Sequence, residues 1–469
     1  MKHDVVVIGS GLGGLICARQ LAQAGRSVLV LERQAQPGGC LQSYRRGDMD
    51  FDTGLHYVGG LAEGQSLHEA FEKLGLMRLP WHRLDADGFD QITIGKQTFP
   101  LAEGFQHFAA TLGDCFPHEQ DALRQYVHML EHLPSMEEGS QVGAYDYLTS
   151  LFHDPLLVNV LSGSALKMEL RCESLPLFNF AHSMSSYVQS SWRLKGSGQL
   201  IADSLISDIR AFGGDVVCRA EVRELKEQGG RIVAAKGPNG RTYEGNLFIS
   251  DIHPQLTFSL IKDSNLLKGI YRRRINALEN TFGMFTASLV LKPDTLPYFN
   301  HNKFVYKKPA VWTFYKDEGS VGGVMISCRV PEHGDYTRQI DLLTPMPWTL
   351  CKSWEDTKVG RRGEIYEMHK NYLADECIRL AERVIPGLHH MVEKQYTSTP
   401  LTWRDYTLSP NGSAFGIRKD YRQPLLTMLS PKTPVPNLFL TGQSLVLHGL
   451  EGVTMTAFNT LDTINNYQI

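Results

Sequence analysis

The stretch Val5-Val6-Val7-Ile8-Gly9-Ser10-Gly11-Leu12-Gly13-Gly14, continued by Val28-Leu29-Val30-Leu31-Glu32, decides the fold. Four consecutive apolar residues, three of them valine, read as a short buried strand. From Gly13 to about Ala24 the spacing of Leu15, Ala18, Leu21 and Ala22 predicts a helix, and Gly25 ends it. Val28–Leu31 is then a second strand, with Glu32 at its end. Between strand and helix each glycine has a physical task. Gly9 permits the tight turn, Gly11 lets a pyrophosphate approach bare backbone, and Gly14 lets helix and strand lie close. The helix start offers unpaired N–H groups and a partial positive charge. Strand, glycine turn, helix, second strand and terminal acid all stand at the intervals a dinucleotide-binding unit requires. The whole turn, Gly9, Ser10, Gly11, Leu12, Gly13 and Gly14, is therefore a candidate phosphate contact, and Glu32 is placed to accept from a ribose hydroxyl.

Three further features favour FAD over NAD. Glu32 is followed by Arg33 and then by Pro37-Gly38-Gly39-Cys40-Leu41, a second glycine pair that would let backbone run along an extended cofactor. Asp50-Phe51-Asp52-Thr53-Gly54-Leu55-His56-Tyr57 brings bare backbone back at Gly54 and His56. Near the end, Thr441-Gly442-Gln443 and Gly449-Leu450-Glu451-Gly452-Val453-Thr454 form a third glycine loop opening a helix. A nicotinamide domain needs only the first fingerprint, and no second G-x-G-x-x-G opens a helix after a strand. The electron partner therefore enters from outside the chain and is not named by it.

The 469 residues suggest two or three packed units, and 42% apolar with 21% charged residues is ordinary globular composition. A net charge of -3 gives no reason to expect a nucleic-acid partner. Lys268 with Arg272, Arg273 and Arg274, and Lys303 with Lys307 and Lys308, are basic spots read as solvated surface, with contact to an anionic membrane as the alternative. The eight cysteines are scattered without C-x-x-C or a His/Cys cluster at zinc spacing, so free thiols, a reducing compartment and no metal are expected. No signal peptide fits before Val5 and no run reaches a membrane span. The expected location is cytoplasmic, with attachment to the inner face of the membrane left open.

Along the chain the character alternates. Residues 66–190 read as mostly helical, for example Glu119–Leu133. Around 191–255 a helix (Leu200–Phe212), a strand (Val216–Cys218) and a meander ending in Leu247–Ser250 follow. Residues 256–400 carry strands such as Met284–Leu291 and Gly323–Arg329 and a helix over Glu364–Val384. The last segment is strand (Asn437–Thr441), glycine loop, and helix from about Gly452 to Ile464. The expected architecture is α/β: one Rossmann-type domain assembled from three segments (1–65, 191–255 and 401–469), with an inserted α+β substrate domain (66–190 and 256–400). Such seams usually hold the site.

These residues resemble the phytoene desaturase family of flavoenzymes, on its branch of retinol saturase and carotenoid isomerase. The likeness lies in Val5–Gly14, Val28–Glu32, Gly38-Gly39-Cys40 and Phe51–Tyr57. It continues in Lys195–Gln199, Phe248–Asp251 and Asn437–Gln443, and is loose in the inserted domain. It implies the FAD-binding, glutathione-reductase-like two-dinucleotide-binding fold. It also implies that Gly442 and Gln443 sit by the ribityl phosphate, Val222 by the adenine, and Gly452, Val453 and Thr454 by the flavin pyrimidine. Gln443 departs from an aspartate common in the wider family and agrees with the saturase branch.

The resemblance also implies a hydrophobic polyene or isoprenoid-like lipid as substrate, saturated or desaturated at a carbon–carbon double bond. The alternatives are a flavin-dependent isomerisation without net redox change, and a lipid-binding escort protein on the same fold. Phe178, Phe180, Tyr187, Trp192, Phe282, Phe285, Trp312, Phe314 and Tyr315 are candidates to line an apolar tunnel. Saturation needs a proton as well as a hydride, and His448, Glu451, His56 and Tyr57 are the candidate donors.

Overall fold

The computed structural model describes residues 2–316 and 320–466. β1 (Lys2–Ile8) lies between β2 (Val28–Leu31) and the strand Thr242–Ser250, parallel to both, and the strands Asp215–Val217 and Leu438–Leu440 extend the same parallel set. Arg231–Lys236 and Glu224–Gln228 add an antiparallel edge to Thr242–Ser250. One sheet is thus drawn from the start, the middle and the end of the chain.

Its register matters more than its order. Ile8 stands opposite Leu31 on one side and Ser250 on the other, and Ser250 stands opposite Leu440. Four parallel strands therefore end at one level, and Gly9, Glu32, Asp251 and Thr441 all emerge at the same edge. Ligands of open parallel sheets bind beyond the carboxyl ends of the strands. α1 (Leu12–Gln23), Gln199–Ala211 and Gly449–Asn466 close one face over Val5, Val7, Val28 and Val30, all nearly inaccessible.

The second sheet runs Val392–Ser398, Gly283–Leu291, Gln339–Met346, Gly323–Cys328, Asn302–Tyr306, Asp90–Ile94, Gln97–Leu101. All neighbours are antiparallel except Asn302–Tyr306 with Asp90–Ile94. Its last two strands lie within residues 66–190, a stretch that is otherwise mostly helical, as expected. Asp90-Gln-Ile-Thr-Ile-Gly95-Lys-Gln-Thr-Phe-Pro-Leu101 alternates around a glycine with φ +65°, and the two strands pair from Asp90 opposite Leu101 to Ile94 opposite Gln97. The helix Glu364–Ala381 covers one side of this sheet; helices of 105–189 gather on the other. The helices Gln120–Glu131 and Gln199–Ala211 match their expected spans to within two residues, and the final helix starts at Gly449, three residues earlier than expected.

Among the described residues all eight cysteines are free, and no helix is long and apolar enough to cross a membrane.

Candidate functional site: a glycine cradle and an adjoining recess

Gly9 turns with φ +94°, and Gly11 caps α1 without a side chain, leaving the first-turn N–H groups of a helix that has no acid in that turn. A second piece of backbone crosses directly above. A β-carbon on Gly39, where φ is +57°, would fall 2.9 Å from Cα of Gly11. The third piece arrives at Gly442 (φ +93°), whose backbone nitrogen lies 3.0 Å from the β-carbon position of Gly13. Gly54 abuts the second piece, its β-carbon position 3.1 Å from the carbonyl oxygen of Cys40. Three separate pieces of backbone thus converge around the start of α1.

Glu32, buried at the sheet edge, ties two of these pieces together. Its Oε2 accepts from Ser10 N (3.1 Å) and Ser10 Oγ (2.5 Å), its Oε1 accepts from Gln34 N (2.7 Å), and Gly38 N donates to Ser10 Oγ at 3.1 Å. A carboxylate has about four acceptor sites, so one remains for a ribose hydroxyl. Arg33 turns outward and donates to the carbonyls of Asp405 and Tyr406 (both 2.8 Å). Val222 lies between the strands Asp215–Val217 and Glu224–Gln228, outside both. Leu12 and Leu41 are buried, and Cys40 and Gln443 half-buried.

Asp251 is a cradle residue that the sequence reading passed over. Its carboxyl lies between the glycines: Oδ2 is 2.5 Å from the β-carbon position of Gly11, and Oδ1 is 2.6 Å from that of Gly442 and 2.8 Å from that of Gly13. These glycines make room for a carboxyl as well as for a ligand. Burial pushes this carboxyl up to about 7; the N–H groups of Gly14 and Gly11 oppose the shift and Glu32 adds to it. Among the described residues Oδ2 has no partner of good hydrogen-bond geometry, and neither does Oγ1 of Thr454. Unsatisfied buried oxygens beside bare backbone and a helix start are what a phosphate-bearing cofactor with hydrogen-bonding hydroxyls would complete. The residues present fit such a group.

A recess of about 610 Å³, its open mouth included, lies where the last helix begins. Gly59, Lys167, Tyr187, His448, Glu451 and Gly452 are among its walls. Gly59 is indispensable to its shape: a β-carbon there would lie 2.4 Å from the backbone of Ser186, so the 57–59 segment can lie flat against the helix Leu177–Gln189 only without a side chain.

The expected donors separate in this recess. His448 Nε2 lies 3.0 Å from the carbonyl oxygen of Lys167 and must donate to it; burial lowers its pKa to about 4, so it is a neutral ring with its one proton committed. Glu451 sits in the first turn of the helix and not on the preceding loop, and its Oε1 accepts from Ser66 Oγ at 2.5 Å. His56 points elsewhere, with Nδ1 4.0 Å from Asp341 Oδ2 on the second sheet. Tyr57 Oη donates to Asp90 Oδ2 (2.8 Å) and accepts from Lys167 Nζ (2.8 Å). Lys167 is the residue missing from the expected set.

The aromatic residues do not form one tunnel. Tyr187 lines the recess, and the Phe178 ring lies tilted against His182 of its wall, ring centres 4.3 Å apart. Phe180 and Trp312 are core, Trp192 is pinned to Ser190, and Phe285, Phe314 and Tyr315 border a separate hollow against the helix Glu364–Ala381. Phe282 reaches the recess only indirectly, through Phe415 against His448 (4.6 Å).

The arrangement can be set beside known proteins. A family model described as an NAD(P)-binding Rossmann-like domain matches residues 7–74. The all-trans-retinol 13,14-reductase of Danio rerio is 25% identical over 524 residues, covering 99% of this chain and 86% of that protein. Prolycopene isomerase 2, chloroplastic, of an Oncidium hybrid cultivar is 23% identical, covering 94% of this chain and 80% of that protein. Over nearly its whole length the chain is thus similar to a retinol 13,14-reductase and to a prolycopene isomerase. Among solved structures, an oxidoreductase from Methanosarcina mazei superposes with a TM-score of 0.69 at 16% identity over 98% of this chain and all of that one. That likeness shows the fold alone, a Rossmann-type oxidoreductase fold, and the cradle fits a flavin-type cofactor.

Two features escaped the sequence reading. Lys167 stands alone in an apolar run, Ala165-Leu166-Lys167-Met168, which is a legible sign of a buried cation. His128-x-x-Glu131-His132 brings three ligand atoms within 4.8 Å of one another. All three side chains are exposed, and His132 Nδ1 is already 3.1 Å from the carbonyl of His128.

Proposed function

We propose that this chain is an FAD-dependent oxidoreductase acting on a carbon–carbon double bond of a hydrophobic polyene or isoprenoid-like lipid. The observation that carries the proposal is the shared turn Gly449–Gly452: the glycine-rich C-terminal segment that supplies Gly442 to the cofactor cradle also walls the recess beside Lys167 and Tyr187. The named activities of the two relatives support the choice of substrate class.

Gly9–Gly14, Gly38-Gly39 and Gly442 would hold the pyrophosphate and ribityl stretch, Glu32 the adenosine ribose, and Gly452–Thr454 the ring end. When bound, the flavin supplies or accepts a hydride at the substrate carbon. The protein's share is orientation, exclusion of water, and a proton source on the recess wall. Burying about twenty carbons of lipid is worth roughly 16 kcal/mol, at about 0.8 per methylene, and Val58, Leu447, Leu450 and Met455 give the recess apolar wall beside its polar groups.

For a lipid substrate the reading also places the chain at the inner face of a membrane, with the helix Gly269–Asn276 toward the surface. Ile270 on that helix is 70% exposed and Leu425 is 88% exposed; the two segments are joined by Arg274 Nη2 donating to the carbonyl of Leu425 (3.3 Å).

The test is direct. The purified protein should be yellow, with flavin absorption near about 450 nm. Reduced anaerobically and mixed with a lipid extract, it should change a polyene by two hydrogens. A product of unchanged mass would make it an isomerase, and a colourless preparation that takes up no FAD would leave only a lipid-binding role.

A further inference from the structure

Lys167 stands in a short helical turn, Ala165–Lys167, with its side chain 12% exposed on the recess wall. Nζ donates to Tyr57 Oη at 2.8 Å, lies 4.0 Å from Asp90 Oδ2, and sits 3.3 Å from the centre of the Tyr187 ring. A cation over an aromatic face is stabilised in its charged form, and a carboxylate one bond further does the same. Behind them the chain is continuous. Asp90, wholly buried, also accepts from Asn302 Nδ2 (2.9 Å), and Asn302 Oδ1 accepts from Arg193 Nη2 (2.7 Å). Tyr57, Asp90, Asn302 and Arg193 are all committed inward. Nζ has three protons, one given to Tyr57, and the remaining donors face the recess and the Tyr187 ring.

We propose that Lys167 is the proton donor of the reaction, delivering its proton to the olefinic carbon that does not receive the hydride, with Tyr57 and Asp90 as the positioning residues that hold its ammonium. The inference rests on the function proposed above. In the step, an N–H bond of Lys167 breaks as a C–H bond forms at one carbon of the double bond. The other carbon takes hydride from a reduced flavin, the reductant. The π pair becomes the new C–H bond at the first carbon, and Lys167 is left a neutral amine. Water entering the open mouth of the recess restores its proton. Desaturation is the same path reversed, with the neutral amine as base.

A group in this role must change charge near neutral pH. Burial lowers the Lys167 pKa from 10.5 to about 7, with Asp90 pulling the other way. Other titratable and charged groups surround it. His448 lies near 4, His182 is pushed down by burial, Tyr57 is raised well beyond the ordinary tyrosine range, and Tyr187 is raised by burial. Asp90 is raised by burial against the pull of Lys167, while Arg193 stands behind Asn302 and Glu451 is bonded to Ser66.

The experiment uses the flavin-loaded enzyme, reduced anaerobically, and follows flavin reoxidation in two ways. A polyene lipid needs a proton at carbon; ferricenium, an electron acceptor, does not. In Lys167→Met, reoxidation by the polyene should fall on the order of 100-fold or more, while reoxidation by ferricenium stays within about twofold. The wild-type polyene rate should fall as pH rises through about 7, and Lys167→Arg should move that limb upward while Lys167→Met abolishes it. Intact flavin absorption and unfolding midpoint identify variants that merely misfold, and Lys167→Gln supplies a second neutral replacement. If Lys167→Met keeps the wild-type rate and pH limb with the polyene, Lys167 is not the donor and the function stands. If the wild type itself is not reoxidised by any polyene, the function and the inference fall together.

Discussion

Oδ2 of Asp251 sits 2.5 Å from where Gly11 would carry a β-carbon, so the turn that faces a cofactor's phosphates from one side is backed by a carboxyl from the other. A buried carboxyl raised from 3.8 to about 7 holds a proton in the folded protein that the unfolded chain has released. Folding stability from this group is therefore greatest below about pH 4 and declines as pH rises through 7. At about 1.4 kcal/mol per unit, the loss is at most about 4 kcal/mol. Asp251→Asn should raise the unfolding midpoint of the cofactor-free protein at pH 8 and leave it unchanged at pH 4, measured in denaturant across that range. Equal pH dependence in both proteins would show that the carboxyl is ionised throughout.

Gly39 tests the cradle itself. Alanine there meets Cα of Gly11 at 2.9 Å in a backbone with φ +57°, where an L side chain costs about 1 kcal/mol before any clash. Neither piece of backbone can yield without opening the crossing of 37–41 over the turn. Gly39→Ala should therefore keep its secondary structure and lose its bound flavin, read as circular dichroism against absorption near about 450 nm.

The parallel sheet and the cradle were legible because their signals are local: a β-branched run, a glycine turn and a terminal acid within 32 residues. The hairpin Asp90–Leu101 was lost because the stretch lies among helical patterns, although Gly95 between alternating residues marks it. His448 and Glu451 were placed by their distance from a glycine loop, which gives nearness and no orientation. His448 proves committed to the Lys167 carbonyl. Asp251 and Lys167 required the fold. One acts through glycines 240 and 191 positions away, the other through Tyr57, Asp90 and Tyr187 on three different elements. Buried charge is a tertiary property, and sequence spacing does not carry it.

Lys419, buried at 8% exposure, is structural. Nζ donates to the carbonyls of Ser444 (2.7 Å), Leu445 (2.9 Å) and Thr427 (3.0 Å), which satisfies all three protons of the ammonium. It thereby pins the loop between Gly442 and His448. Methionine fills the same space and leaves three buried acceptors unpaired, at about 1–3 kcal/mol each. Lys419→Met should destabilise the protein by at least about 3 kcal/mol in urea unfolding and speed flavin release. A change below about 1 kcal/mol would mean that water replaces the lysine.

The surface around Ile270 tests the proposed membrane contact. Ile275 anchors the helix Gly269–Asn276 in the core, while Ile270, Arg273 and Arg274 face outward, with Lys268 just before them and Leu425 beside them. Arg272 does not join this surface, since its guanidinium donates to the carbonyls of Phe258 and Ile261. Three outward cations near an anionic surface are worth about 1 kcal/mol each, and two exposed aliphatic side chains add about 1.5–3 kcal/mol apiece if buried. The protein should float with vesicles containing phosphatidylserine and not with phosphatidylcholine alone. Binding should weaken as salt shortens the screening length below about 10 Å. Ile270→Glu with Leu425→Glu should abolish flotation and leave the unfolding midpoint and flavin content unchanged, because neither side chain contributes to the core. Flotation that survives both substitutions would place the contact on another face.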